Sequence, residues 1–298
     1  MRAEIKHSTE RTAVCNGIEI VYDTFGQENL PSMVLIMGLG SQMILWEDEF
    51  CVLLASRGFR VVRFDNRDVG RSAKLSHMGL PDFSALLSGK AVEVPYTLHD
   101  MAKDTVGLLD ALHIEAAHII GASMGGMIAQ LMAVHYPARV RSLTSIMSTT
   151  GDPGLPGPVP EAMQVLFRPY PRDRERFIDA FIDTWRVLSG DQIPMDQGSI
   201  KDLAEKYLQR GVYPEGNARQ LAAIIASGSR RHDLGSVKVP TLVIHGDADP
   251  LIPVECGLDT AQSIPGADLK IIPGMGHAFP DIVWQDIVDS IAGHALGC

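Results

Sequence analysis

Two rhythms of apolar and polar positions divide the chain. In the first half, short apolar runs alternate with longer amphipathic stretches, the βαβ pattern of a mostly parallel sheet. Ile18–Phe25 alternates apolar with polar residues, which predicts a partly exposed strand. Met33–Met37, Phe59–Phe64 and Ala117–Ile120 are short apolar runs that predict buried strands, and another lies near Val140–Ile146. Leu98–Leu112 has helical spacing, with Thr97 as N-cap and Asp100 three residues on. Met124–Tyr136 predicts a helix that stops before Pro137.

The pattern then changes. Gly151–Pro160 (GDPGLPGPVP) suits neither helix nor strand and predicts a connector. Beyond it only helical spacing appears. Phe177, Phe181, Trp185 and Leu188 share one face, a stripe that reads first as packing. Ser199 with Asp202 suggests another helix start, and Ala218–Ala226 a further helix. Strand character returns at Thr241–His245 and Leu269–Ile272. The expectation is an α/β core, residues 1–150 and 231–298, interrupted by a helical cap at 151–230. An inserted cap is preferred to a separate helical domain, because the late strands need the early ones as partners.

Composition narrows the function. The 298 residues are 46% hydrophobic and 21% charged, which excludes a disordered chain. The net charge of −10 argues against nucleic acid as a partner. Cys15, Cys51, Cys256 and Cys298 are widely spaced and form no CxxC pair, so neither a disulfide framework nor a zinc site is expected. Met1–Thr12 has no apolar stretch of a secretory signal, and no run of 18 apolar residues suggests a membrane span. A cytoplasmic protein is expected. Oligomeric state is not written in these patterns; a homodimer is compatible with them.

The candidate chemistry begins at Gly121-Ala122-Ser123-Met124-Gly125. A G-x-S-x-G match arises by chance about once in ten chains of this length. Its setting sharpens it, because a strand precedes Ser123 and a helix follows, as a strained nucleophile requires. A serine hydroxyl needs a base. Of ten histidines, His113, His118 and His294 read as surface or packing residues, whereas His277 lies in the glycine-rich loop after the last strand. The acid that orients it is Asp249, with Asp247 the runner-up and Asp152 a third choice. A metal site built from His245, Asp247 and Asp249 is an alternative that leaves the serine motif unexplained. The oxyanion would be met by the backbone N–H groups of Leu39, after an early central strand, and Met124.

These segments resemble the α/β-hydrolase family. The resemblance rests on MGLGSQMILW, FDNRDVGRS, YTLHDMAKDTVGLLDAL, HIIGASMGGMIAQ, VPTLVIHGDADPLIP and IPGMGHAFP, and spans nearly the whole chain from residue 18. It implies an α/β-hydrolase fold with a helical cap and a triad of Ser123, Asp249 and His277, and it favours Asp249 because the family's acid directly precedes the proline. Within the family the chain looks most like carboxylesterases related to aclacinomycin methylesterase, to which DTWRVLSG in the cap also corresponds. The implied activity is cofactor-free and metal-free hydrolysis of a small-molecule ester. Carbon–carbon bond hydrolysis, lactone opening and perhydrolysis by the same triad stay open, as does a non-catalytic ligand receptor. The family usually has His-Gly where Met37-Gly38 stands; the donor is a backbone N–H, so the function survives. Asp68 replaces a common glycine in the Asp65–Ser72 turn, where Arg67 and Arg71 are expected to tie down the loop rather than bind an acidic substrate.

Overall fold

Side chains that alternate along a strand feed two layers at once. In the computed structural model, which describes residues 5–88 and 92–298, Val34 and Ile36 enter one core and Met33 and Leu35 the other. Their strand belongs to an eight-stranded sheet: β1 (Arg11–Cys15), β2 (Ile18–Phe25), β3 (Ser32–Ile36), β4 (Arg60–Phe64), β5 (Ala117–Ala122), β6 (Val140–Ile146), β7 (Thr241–Gly246) and β8 (Asp268–Ile272). The order is β1-β2-β4-β3-β5-β6-β7-β8, and β2 alone of these strands runs against the rest.

Helices α1 (Asp48–Ala55) and α11 (Asp281–Leu296) cover one face, the latter through Val283, Ile287 and Ile291. The other face carries α3 (Leu98–Ala111), α4 (Met124–His135) and α10 (Val254–Ser263), with the short α2 (Phe83–Leu87) preceding α3. Between β6 and β7 run α5 (Pro160–Phe167), α6 (Arg174–Ser189), α7 (Gln197–Arg210) and α8 (Pro214–Ser227), followed by the short α9 (Arg231–Leu234). Phe177 and Phe181 of α6 pack with Ile200, Leu203 and Tyr207 of α7 in a core of their own.

Two buried ion pairs join these inserted helices to the loop after β4. Arg210 reaches Asp65. Arg219 holds both carboxylate oxygens of Asp68, at 2.8 and 3.0 Å. Burial alone would raise the Asp68 pKa, but Arg219, the Leu75 N–H and the Tyr96 hydroxyl hold it below the ordinary value.

Several elements differ from expectation. β1 is new: Asn16-Gly17, with φ of 49° and 80°, folds it back onto β2. β2 is buried from Ile20 to Phe25 rather than partly exposed, because its polar Asp23 is paired with Arg63 at 2.9 Å. α7 starts before Ser199: its cap is Asp196, whose carboxylate accepts from Ser199 N–H at 2.8 Å. The Thr97–Asp100 cap forms as expected, with Asp100 accepting from the Thr97 N–H and hydroxyl. Met1–Glu4, where the stretch without signal character begins, and Gly89–Ala91 lie outside the described residues. No described helix is long and apolar enough to cross a membrane.

Candidate active site

All the loops that matter leave the sheet at the carboxyl ends of parallel strands, the edge where α/β sheets hold ligands. Ser123 falls between β5 and α4 with φ 55° and ψ −121°, a conformation costly for a residue with a Cβ. Neighbours enforce it: Ser123 N–H donates to Ile146 O at 2.9 Å, and Ser148 Oγ donates to Ser123 O at 2.8 Å. The flanking glycines allow the close approach. A Cβ on Gly121 would collide with Gly125 O, and one on Gly125 with Ile36 O.

His277 sits in the loop after β8, where its N–H donates to Leu188 O of α6 at 2.7 Å. Its Nδ1 lies 2.8 Å from Asp249 Oδ2. With a carboxylate as partner, Nδ1 carries the proton and Nε2 is left as the basic atom. Asp249 is fully buried, and its Oδ1 accepts from the N–H groups of Leu251 and Ile252 at 2.9 and 2.8 Å. Ser123 and His277 line one cavity of about 500 Å³, walled by Gly38 and Leu39 below and by residues of α5 to α8 above. Among the described residues no hydrogen bond joins Ser123 Oγ to His277, a contact that commonly tightens only when substrate arrives.

The family model of the alpha/beta hydrolase fold matches residues 31–281. The chain belongs to the α/β-hydrolase fold family. This α/β-hydrolase is 29% identical over 289 residues to rhodomycin D methylesterase DauP of Streptomyces sp. (strain C5), covering 88% of this chain and 90% of that protein. It is 31% identical over 229 residues to a 2-hydroxy-6-oxononadienedioate/2-hydroxy-6-oxononatrienedioate hydrolase of Cupriavidus pinatubonensis (strain JMP 134 / LMG 1197), covering 75% of this chain and 72% of that one. The solved enol-lactonase from Burkholderia xenovorans LB400 superposes with a TM-score of 0.70 at 25% identity, over 96% of this chain and 98% of that one.

The remaining candidates of the α/β-hydrolase go elsewhere. Asp247 Oδ1 accepts from Gly274 N–H at 2.6 Å and so braces the His277 loop. Asp152 accepts from Gly154 N–H and faces Arg231, and among the described residues it makes no hydrogen bond to His277. Of His245, Asp247 and Asp249, His245 Nε2 lies 3.7 Å from Asp249 Oδ2 but donates to Ile252 O at 2.8 Å, while Asp247 turns to Gly274; burial lowers the His245 pKa. No described cluster of three His, Cys, Asp or Glu side chains has metal-ligand spacing. Arg67 makes two 2.6 Å bonds to Asp104 and Arg71 reaches Glu10, so both hold the loop.

Two donors stand unused. Among the described residues, neither the Leu39 N–H nor the Met124 N–H donates to a protein acceptor, and Met124 opens a helix whose first amides point outward. The α6 stripe departs from a pure packing role, because Phe177, Phe181, Trp185 and Leu188 all line the cavity. Short-range sequence signals do not report Tyr207 or Gln220, which reach the loop after β3 from the inserted helices, or Gln42, which answers them from within that loop.

Proposed function

We propose that the chain is a serine carboxylesterase that cleaves a small to medium ester through an acyl-enzyme. The observation that carries this is Ser123, held at a strained elbow and opening into the same cavity as the buried His277–Asp249 pair. Ser123 Oγ attacks the ester carbonyl as His277 Nε2 takes its proton. The tetrahedral oxyanion accepts from the Leu39 and Met124 N–H groups. Collapse expels the alkoxide, which takes the proton from His277. Water, with His277 again as base, then releases the acid and restores Ser123. Asp249 keeps the imidazole in the required tautomer and stabilises its cation.

Residues 151–230 act in this reading as a cap over a core of 1–150 and 231–298. The thiols of Cys15, Cys51, Cys256 and Cys298 are free, which suits a reducing compartment such as the cytoplasm. The likeness to the dienedioate hydrolase and the enol-lactonase supports a second reading, carbon–carbon bond or lactone hydrolysis with the same triad. A panel of methyl and p-nitrophenyl esters, lactones and vinylogous diketones separates them: esters should be turned over fastest. Ser123→Ala should keep its melting temperature and lose roughly 10⁴- to 10⁶-fold in kcat. Retention of activity within tenfold would refute the assignment of Ser123.

A further inference from the structure

The Leu39 N–H assigned to the oxyanion belongs to the loop Gly38–Gln42, between β3 and α1. Among the described residues, hydrogen bonds from the core hold this loop only near its ends. Asn66 Nδ2 donates to Met37 O at 2.9 Å, and Met43 N–H donates to Asp65 Oδ1 at 2.8 Å. Its middle is held by the inserted helices. Gly40 N–H donates to Gln220 Oε1 of α8 at 2.8 Å. The same amide donates through Nε2 to Arg67 O at 2.8 Å, so one side chain ties two core loops together. Gln220 is fully buried, at 0% exposure. Gly40 has φ 65°, and a Cβ there would overlap the Asn217 carboxamide, so α8 lies directly on this peptide. One residue further, Gln42 N–H donates to Tyr207 Oη of α7 at 2.9 Å, and Gln42 Nε2 donates to Gly211 O at 2.9 Å.

We propose that Gln220 is a positioning residue for the oxyanion hole, aiming the Leu39 N–H from the inserted helices. The inference rests on the carboxylesterase reading above. An oxyanion donor works only within about 2.7–3.1 Å of where the charge develops. The peptide carrying the Leu39 N–H is bounded by Met37 O, held by the core, and by Gly40 N–H, held by Gln220. Without the amide, the second restraint is lost and Gly40 N–H has no protein acceptor in its place. Leu39 then samples orientations that miss the oxyanion, while the substitution itself removes no side chain from the cavity wall, because Gln220 does not line it.

Gln220→Met keeps the buried volume and removes both hydrogen bonds. With active sites counted by phosphonate titration, kcat should fall about 10- to 100-fold while KM stays within about threefold. A trifluoromethyl ketone, which adds Ser123 Oγ and places its oxyanion in the hole, should lose affinity by the same factor. A purely structural role would lower the titrated fraction or the melting temperature and leave kcat per active site unchanged. If Gln220→Met does not fold, Tyr207→Phe, which removes only the hydroxyl that accepts from Gln42 N–H, must show the same fall in kcat per active site and in ketone affinity; Tyr207 lines the cavity, so its KM is not part of the test. An unaltered kcat per site, or a loss confined to KM, overturns the proposal. If the unmutated protein neither cleaves an ester nor captures the ketone, the carboxylesterase reading itself has failed, and this inference with it. Normal turnover by both proteins removes the clamp alone.

Discussion

Asp247 and Asp249 are two positions apart, yet their carboxylates face different partners. Asp249 receives two backbone N–H groups on one oxygen and the His277 imidazole on the other. Asp247 receives Gly274 N–H, three residues before His277. Asp249→Asn should therefore lower kcat by about 10³- to 10⁴-fold, since an amide facing Nδ1 favours the wrong tautomer. Asp247→Asn should cost less than about tenfold, because an amide oxygen still accepts from Gly274 N–H. Steady-state kinetics on the two variants check this, and equal losses would contradict the difference in roles. Residue types and strand ends point to Ser123 and His277 in the sequence because elbow chemistry is local. Choosing among Asp247, Asp249 and Asp152 is not a local question, since the turn at Pro250 decides which carboxylate meets the imidazole.

The elements divide along the same line. Strands β3, β4, β5 and β7 announce themselves because both faces are buried and each holds a short apolar run, whereas β8, at the sheet edge, is exposed at Asp268 and Leu269. β1 is short and polar, and its one signal is the Asn16-Gly17 turn. In α6 the periodicity identifies the face without saying whether it meets protein or substrate, and here it meets both. Phe181 is buried against Tyr207 with ring centroids 4.9 Å apart. Trp185, further along the same face, is only partly buried, and its Nε1–H is enclosed without an acceptor. Trp185→Ala should shift relative kcat/KM between short and long acyl esters by about tenfold, with a smaller stability loss than the 3–5 kcal/mol typical of an aromatic-to-Ala change in a full core, as at Phe181. Melting curves and a two-ester assay on each variant measure both quantities. A Trp185 variant as unstable as the Phe181 one, with unchanged ester preference, would make the whole stripe structural.

For the whole molecule, the acid side of the stability curve has an identifiable source. His118 in β5 is enclosed against Ser142 Oγ at 2.8 Å. Burial, then Arg141 and His294, push its pKa from the ordinary 6.5 down to about 4. The unfolded chain therefore binds a proton there that the folded protein refuses. Stability is lost as the pH falls from about 6.5 toward about 4 and is unaffected by this group above that window. The loss between pH 7 and pH 5 should be on the order of 1–2 kcal/mol, read from urea midpoints. His118→Gln, which does not titrate, should show a smaller difference between the two pH values.

The buried pairs Arg210–Asp65 and Arg219–Asp68 carry a consequence for engineering. Helices inserted between two strands look like a module that could be exchanged among relatives to import a new substrate range. Here the exchange boundary does not coincide with the ends of the insert. A chimera that replaced α5 to α8 alone would leave Asp65 and Asp68 in the host as buried carboxylates without their arginines. Stranding one such charge typically costs 3–5 kcal/mol. The transplantable unit is discontinuous: the inserted helices together with the loop after β4 and its partner loop at Gly40, three segments that must come from one parent.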